Sequence, residues 1–177
     1  MAHSVQFYSC GWNYVAPVSR RSAKEYVMRV LLPIDGSQFS EAALDEVANR
    51  PWPDGSEVRI VTAAEVPMII GLEPWAAAPI YFEQFEGAVR DSASALVENA
   101  VTKLKSRGTP LRISCAVLEG SPREMIVEEA DRWGADLIMM GSRGLGAWSR
   151  LLIGSVSSAV VHHAKCSVEI VRKREAN

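Results

Sequence analysis

The chain has 177 residues, a length that favours one domain with a sizeable core. Apolar residues make up 48% of the chain and charged residues 23%, which excludes a disordered protein. The net charge of −2 without a long basic run argues against a nucleic-acid partner, and no apolar stretch is long enough to span a membrane. No apolar signal-peptide core begins the sequence, so we expect a cytoplasmic protein.

The first 27 residues differ from the rest of the chain. They hold several aromatic residues without a clear period, and Arg20, Arg21 and Lys24 make the end of this segment basic. We interpret residues 1–27 as an N-terminal extension, which is a tail, a targeting segment or an upstream extension of the reading frame. Met28 directly precedes the first strand, so the start of translation is either Met1 or Met28.

The main domain is placed at residues 28–173 and begins with two predicted strands. Residues 30–35 form an apolar run of strand length, and Ser37 or Ser40 is expected to cap the helix that follows. Residues 58–64 are predicted as the second strand. Residues 65–80 form a long apolar loop with prolines, a kind of loop that is usually functional or covers a surface or a partner.

The second half of the domain repeats the alternation of helix and strand. A long helix is predicted over 82–105 because apolar residues recur there at spacings of three and four. Ser121, Pro122 and Glu124 form the pattern of a capping box at the start of the next helix, which ends at Gly134. The remaining predicted elements are strands at 111–118, 136–140 and 168–172, a glycine-rich loop at 141–154, a helix at 155–164 and a polar tail at 174–177.

This alternation predicts a doubly wound α/β fold, an open sheet of five mostly parallel strands covered by helices on both faces. In such sheets, ligands bind beyond the carboxyl ends of the strands, where the winding reverses. The first strand ends at Asp35, and the fourth runs into Gly141 and Gly144. If the sheet reverses between these two strands, both ends line one crevice.

The glycine-rich loop has the residues that a polyphosphate needs. Gly141 and Gly144 are expected to let the backbone turn sharply and approach a ligand. Gly154 and Ser155 begin the last helix, whose free N–H groups favour an anion, and the Ser155 hydroxyl either caps this helix or bonds a phosphate oxygen. Arg143 either adds charge-assisted bonds or is a solvated loop cation.

The spacing Gly-x2-Gly-x9-Gly-Ser, directly after the strand 136–140, resembles the ATP-binding motif of universal stress proteins. The segment 30–37 resembles the first strand of the same family, and 166–171 resembles its last strand. The resemblance covers residues 28–172. It implies the family's adenine nucleotide alpha hydrolase-like fold with strand order 3-2-1-4-5, and a regulatory, stress-response protein that binds ATP.

The resemblance also implies a role for individual residues. Asp35, with Pro33 and Ile34, matches the segment that meets adenine, although a turn aspartate is the alternative for Asp35. Ala63 matches the apolar contact beside the base. Mg²⁺ would accompany ATP and be held mainly by phosphates and water. The ribose and phosphate residues would be Met140, Gly141, Arg143 and Gly144, followed by Gly154, Ser155, Val156 and Ser157 at the helix start.

The last strand departs from the family pattern. Ser167 stands where a proline is usual, and Glu169 interrupts the apolar run. In the family this edge strand commonly pairs two subunits, so a homodimer is expected. A charge at an edge can block such pairing or can point to solvent in the dimer.

Two other functions stay open as alternatives. The first is a slow ATPase, although the chain has neither the phosphate-loop lysine pattern GxxxxGK[ST] nor the SGGxDS loop of the pyrophosphatase group. We also expect no Asp, Glu or His beside the phosphate turn to position water, so any hydrolysis should be slow. The second alternative is a nucleotide-free dimeric adaptor on the same fold.

The cysteines and histidines indicate no metal site. The three cysteines stand singly, which argues against a disulfide framework or a zinc site, and Cys115 and Cys166 are predicted as buried thiols. His162 and His163 are adjacent on the last predicted helix and diverge by about 100°, so they cannot face one metal. One of the two is expected to face solvent.

Overall fold

A computed structural model describes residues 27–65, 79–145 and 153–173, with the backbone alone for 79–83. Nearly all of the N-terminal extension, most of the apolar loop, the middle of the glycine-rich loop and the polar tail lie outside the described residues.

Five strands and four helices alternate along the described chain. Their bounds agree with the sequence prediction to within one or two residues, with one exception in the second helix. The elements are β1 (Arg29–Pro33), α1 (Gln38–Asn49), β2 (Glu57–Ala64), α2 (Pro79–Ser106), β3 (Arg112–Glu119), α3 (Pro122–Trp133), β4 (Leu137–Gly141), α4 (Ser155–His163) and β5 (Ser167–Val171).

The strands form one sheet in the order β3-β2-β1-β4-β5, and each neighbouring pair is parallel. The predicted fold class and strand order are therefore confirmed. The central register places Val30 beside Leu137 and Leu31 beside Ile138, which makes β1 and β4 neighbours. The chain winds from β1 towards one edge and, after β3, returns past β1 to the other edge. The winding reverses between β1 and β4, as the site prediction requires.

Two apolar cores cover the two faces of the sheet. On one face, Leu32 of β1 packs with Leu44 of α1 and Leu104 of α2. On the other face, Leu31 of β1 packs with residues of α3 and α4. Because successive side chains of a strand point to opposite faces, β1 contributes to both cores, and its residues from Val30 to Pro33 are all buried. A strand buried on both faces is apolar throughout, which explains why β1 lacks an alternating pattern.

The ends of α1 and α3 differ in how they are capped. Ser37 is the N-cap of α1, and its side-chain oxygen accepts a hydrogen bond from the Ser40 amide at 3.2 Å. Ser121 is the N-cap of α3 and Pro122 follows it, but the Ser121 side chain makes no capping bond. The capping box predicted there is therefore wrong in its hydrogen bond, although the helix boundary is right. Gly134 ends α3 in the left-handed conformation, with φ 70°.

Three sequence expectations are corrected by the fold. Helix α2 begins at Pro79 rather than at residue 82, because proline is well suited to the first turn of a helix. Cys115 is exposed, since β3 is an edge strand, and Cys166 is only partly buried. His162 and His163 are both exposed. No helix in the described ranges is both long and apolar enough to cross a membrane.

Candidate functional site

A cleft of about 390 Å³ opens at the carboxyl ends of β1, β2 and β4, where the winding of the sheet reverses. Residues at the starts of α3 and α4 also line it. All of the residues that the sequence assigned to nucleotide contact line this one cleft, namely Pro33, Ile34, Asp35, Ala63, Met140, Gly141, Arg143, Gly144, Gly154, Ser155, Val156 and Ser157.

Several lining residues were missed by the sequence prediction. Pro122 and Ile126 come from the start of α3, and Val61 and Thr62 come from the end of β2. The start of α3 follows the carboxyl end of β3, and all parallel strands end at the same edge of the sheet, so the topology alone was sufficient to place it there. Together with Met140 and Val156, these residues give the cleft a largely apolar side that suits a planar ring.

Asp35 joins two segments that are far apart in the sequence. Its Oδ1 accepts a hydrogen bond from the Ser37 amide at 3.0 Å, which closes a local turn before α1. Its Oδ2 accepts a hydrogen bond from the Leu145 amide at 3.0 Å, across 110 residues. The carboxylate therefore lies directly beside the glycine turn.

This position corrects the expectation that no acidic residue lies beside the phosphate turn. The sequence analysis placed both strand ends in one crevice, but direct contact between Asp35 and the turn depends on the register of β1 against β4, which the sequence does not specify. The turn reading of Asp35 is correct as far as its bond to Ser37 is concerned. The bond to Leu145 adds a contact that no local pattern predicts.

The glycines are explained by contacts within the protein. A Cβ atom at Gly141 would lie 2.5 Å from the carbonyl carbon of Phe39, and one at Gly144 would lie 2.6 Å from Oδ2 of Asp35. Neither glycine has a positive φ. The two glycines therefore allow a close approach, as predicted, but the approach that the structure describes is to other parts of the chain. They are required because α1 and Asp35 pack directly against the turn.

The start of α4 has backbone hydrogen-bond donors that find no acceptor among the described residues. Gly154 is the N-cap and has no side chain, so the expectation that Ser155 caps the helix is wrong; Ser155 is the first helical residue. The amide of Gly154 donates to Ser142 O at 2.8 Å, but the amides of the next three residues have no backbone acceptor in the described part of the chain. The Ser157 hydroxyl donates to Gly141 O at 2.9 Å and ties α4 to β4.

Arg143 lies between the glycine turn and α1. Its guanidinium carbon is 5.3 Å from the centre of the Phe39 ring, a distance typical of a cation–π contact. Its Nε atom is buried and has no hydrogen-bond partner among the described residues. The reading of Arg143 as a solvated cation is therefore wrong for this atom. A buried donor without an acceptor costs about 1–3 kcal/mol, which an anionic ligand would offset.

The described residues contain no cluster of three or more His, Cys, Asp or Glu side chains able to hold a metal ion. Asp35 is the acidic residue among those found to line the cleft, and both of its oxygens already accept backbone bonds. Among the described residues that line the cleft, Asp35 is therefore the one carboxylate that a metal ion could meet.

Comparison with known proteins agrees with this architecture. The profile of the universal stress protein family matches residues 27–172, most of the chain. The chain belongs to this family. A relative from Staphylococcus haemolyticus that is named for the family is 30% identical over 147 residues, which cover 82% of this chain and 85% of the relative.

Two solved structures share the universal stress protein fold of this chain. The hypothetical protein MJ0577 is 25% identical with a TM-score of 0.71, and the match covers 84% of this chain and 98% of that one. A universal stress protein solved in complex with cAMP is 27% identical with a TM-score of 0.53, covering 81% and 95% of the two chains.

The edge strand β5 of this universal stress protein domain has an unexpected partner. The Glu169 carboxylate receives two hydrogen bonds from the Arg50 guanidinium, at 2.7 and 2.5 Å, across 119 residues. These bonds raise the pKa of Arg50 above its ordinary value, and the guanidinium also lies over the Trp52 ring. Glu169 therefore points to the end of α1, so its charge is neutralised within the chain and does not face an edge partner.

Proposed function

We propose that this chain is an ATP-binding universal stress protein with a regulatory role, which holds its nucleotide and hydrolyses it slowly or not at all. The observation that carries the proposal is the set of unsatisfied donors at one end of the cleft. The first-turn amides of α4 and the buried Nε of Arg143 lack protein acceptors in the described chain. Such donors at a helix start favour a phosphate.

The shape of the cleft supports one orientation of the nucleotide. The apolar side, which includes Ala63, Ile126 and Met140, suits the adenine ring, and the start of α4 suits the phosphates. The universal stress protein bound to cAMP has an adenine nucleotide as its ligand, and its 27% identity supports the same ligand class here. Mg²⁺ would bind with ATP through phosphate oxygens and water, since the described residues offer no ligand cluster.

Slow hydrolysis is the second candidate because Asp35 lies beside the glycine turn. Its two oxygens accept bonds from the Ser37 and Leu145 amides, an arrangement that fixes the carboxylate in place and favours a structural role over activation of water. Turnover of about 1 s⁻¹ or faster would contradict the proposal that the protein holds ATP.

Calorimetry of the purified protein with ATP and Mg²⁺ tests the proposal. We expect binding in the micromolar to millimolar range, and we expect Arg143→Ala to weaken it about tenfold because a charge-assisted bond is lost. The matched control is Arg123→Ala, which removes an exposed arginine of α3 that is not among the residues lining the cleft. Absence of any heat or thermal shift would contradict nucleotide binding and favour the nucleotide-free adaptor.

We also propose a homodimer that forms along the outer edge of β5. The support is the Arg50–Glu169 pair, which removes the charge that would otherwise oppose pairing at this edge. Sedimentation equilibrium should give twice the mass of the chain. A monomer at all concentrations tested would contradict the homodimer without affecting the nucleotide proposal.

A further inference from the structure

Asp35 uses its two carboxylate oxygens on two different segments. Oδ1 accepts from the Ser37 amide in the turn before α1, and Oδ2 accepts from the Leu145 amide in the glycine turn. Both donors are backbone N–H groups, so substitution of Ser37 or Leu145 by any residue except proline would leave them present. The chemistry of this contact therefore rests on Asp35 alone.

Only a carboxylate satisfies both donors. An ionised aspartate presents acceptors on both oxygens, whereas an asparagine of the same size presents one oxygen and one NH₂ group. With asparagine at position 35, one of the two backbone N–H groups would face another donor. The contact therefore distinguishes two side chains of nearly identical volume.

The surrounding backbone is shaped to admit this contact. A Cβ atom at Gly144 would lie 2.6 Å from Oδ2 of Asp35, so a residue with a side chain cannot occupy position 144 without displacing the carboxylate. The Leu145 side chain is 78% exposed and does not anchor the turn. Among the described residues, the hydrogen bond from Leu145 N is thus a direct link between this point of the turn and the neighbouring strand end.

We propose that Asp35 is a positioning residue that holds the glycine turn against the end of β1, so that the phosphate end of the cleft is assembled before the nucleotide arrives. This inference rests on the proposed nucleotide function for its purpose. A residue that contacts the base would affect the affinity for every adenine ligand. Loss of a residue that positions the turn should lower mainly the part of the ATP affinity that comes from the phosphates.

The first test needs no nucleotide. Amide hydrogen exchange, followed by NMR on the ligand-free protein, should show Leu145 N–H protected in the native chain. In Asp35→Asn, exchange at Leu145 should be at least about tenfold faster, since a charge-assisted bond is lost. Core amides of β4, such as Met139, should keep their protection and report that the fold is intact. Unchanged protection at Leu145 would overturn the proposal.

The second test compares ligands with and without phosphates. Calorimetry with adenosine and with ATP should show that Asp35→Asn weakens ATP at least about tenfold more than it weakens adenosine. A residue that contacts only the base would weaken both ligands by the same factor. An equal factor for the two ligands would therefore overturn the positioning role.

A variant of the donor residue, Leu145, tests the same hydrogen bond from the other side. Leu145→Pro removes the donor and keeps Asp35, and Leu145→Ala is its reference because both variants lose the leucine side chain while only one loses the N–H group. ATP affinity should be about tenfold lower in Leu145→Pro than in Leu145→Ala. Equal affinities in the two variants would count against the proposal.

The two proposals can fail separately. If the native chain binds neither adenosine nor ATP, the nucleotide function is wrong, and the exchange rate at Leu145 still decides whether Asp35 holds the turn. If ATP binds but Leu145 exchanges at the same rate in the native chain and in Asp35→Asn, only the positioning role is wrong.

Discussion

The starts of α1 and α4 lie at the same edge of the sheet, after neighbouring strands, and they differ in how their donors are satisfied. At α1, the Ser37 side chain caps the Ser40 amide, and Glu41 places an acidic residue in the first turn. At α4, the cap is Gly154 and the first turn has no acidic residue. Where the chain supplies its own acceptors, a helix start is structural. Where the described residues supply none, as at α4, the start is available to an external anion.

The largest effect should come from making α4 resemble α1. Ser155→Asp places a carboxylate at an exposed position in the first turn of α4, where it would repel phosphates at close range. We expect ATP affinity to fall about 100-fold, while the ligand-free protein gains about 0.5 kcal/mol from the charge at the helix start.

Ser155→Asn is the matched control, since it has the size of aspartate without its charge. Calorimetry gives the affinity and urea unfolding gives the stability. An equal loss of affinity in both variants would mean that size rather than charge matters at this position.

The next effect concerns the contact between the end of β4 and the start of α1. Gly141 lies against the first turn of α1, and a Cβ there would approach the Phe39 carbonyl carbon to 2.5 Å. We expect Gly141→Ala to lower the free energy of unfolding by about 1–3 kcal/mol, as overpacking does.

Gly87→Ala is the control for a glycine with free space around it. Apart from its chain neighbours and the adjacent backbone of α2, no atom of the described residues lies within 4 Å of a Cβ built at Gly87, which is inside α2. This change should raise the free energy of unfolding by about 0.5–1 kcal/mol, because alanine favours a helix over glycine. Urea unfolding of both variants measures the contrast; destabilisation by Gly87→Ala would show that unseen contacts surround it.

The smallest effect compares an N-cap serine whose side chain makes a capping hydrogen bond with one whose side chain makes none. Ser37→Ala removes a side chain that caps the Ser40 amide and should cost about 1 kcal/mol. Ser121→Ala removes a cap residue whose side chain makes no capping bond, so its cost should stay within about 0.5 kcal/mol. Thermal and urea unfolding give both values. Equal costs would mean that the Ser121 hydroxyl caps α3 in solution.

Much of the fold was predictable because the signals are local. Strands buried on both faces are uniform apolar runs, and Gly134 marks the end of a helix by its left-handed conformation. The alternation of such strands with helices is sufficient for a doubly wound sheet. The capping box at Ser121 shows the limit of local signals, since the pattern is present and the hydrogen bond is not.

The site was predicted as a set of residues but not as a set of contacts. The family resemblance named twelve residues for nucleotide contact, and all twelve line the cleft, together with others that it did not name. It did not show that Asp35 reaches Leu145, or that Gly141 is required by Phe39, because both contacts join segments that are far apart in the sequence. Such contacts follow from the register of β1 against β4, which the pattern of apolar residues does not specify.

The Arg50–Glu169 pair has a consequence for synthesis of the protein. Because 119 residues separate the two partners, β5 can be fastened to α1 only after nearly the whole domain has been translated. Until then β4, whose residues from Leu137 to Gly141 are all buried in the finished fold, is an open edge. A chain cut short before residue 167 would lack β5 and leave the edge of β4 unpaired. In the complete domain, β5 covers this edge.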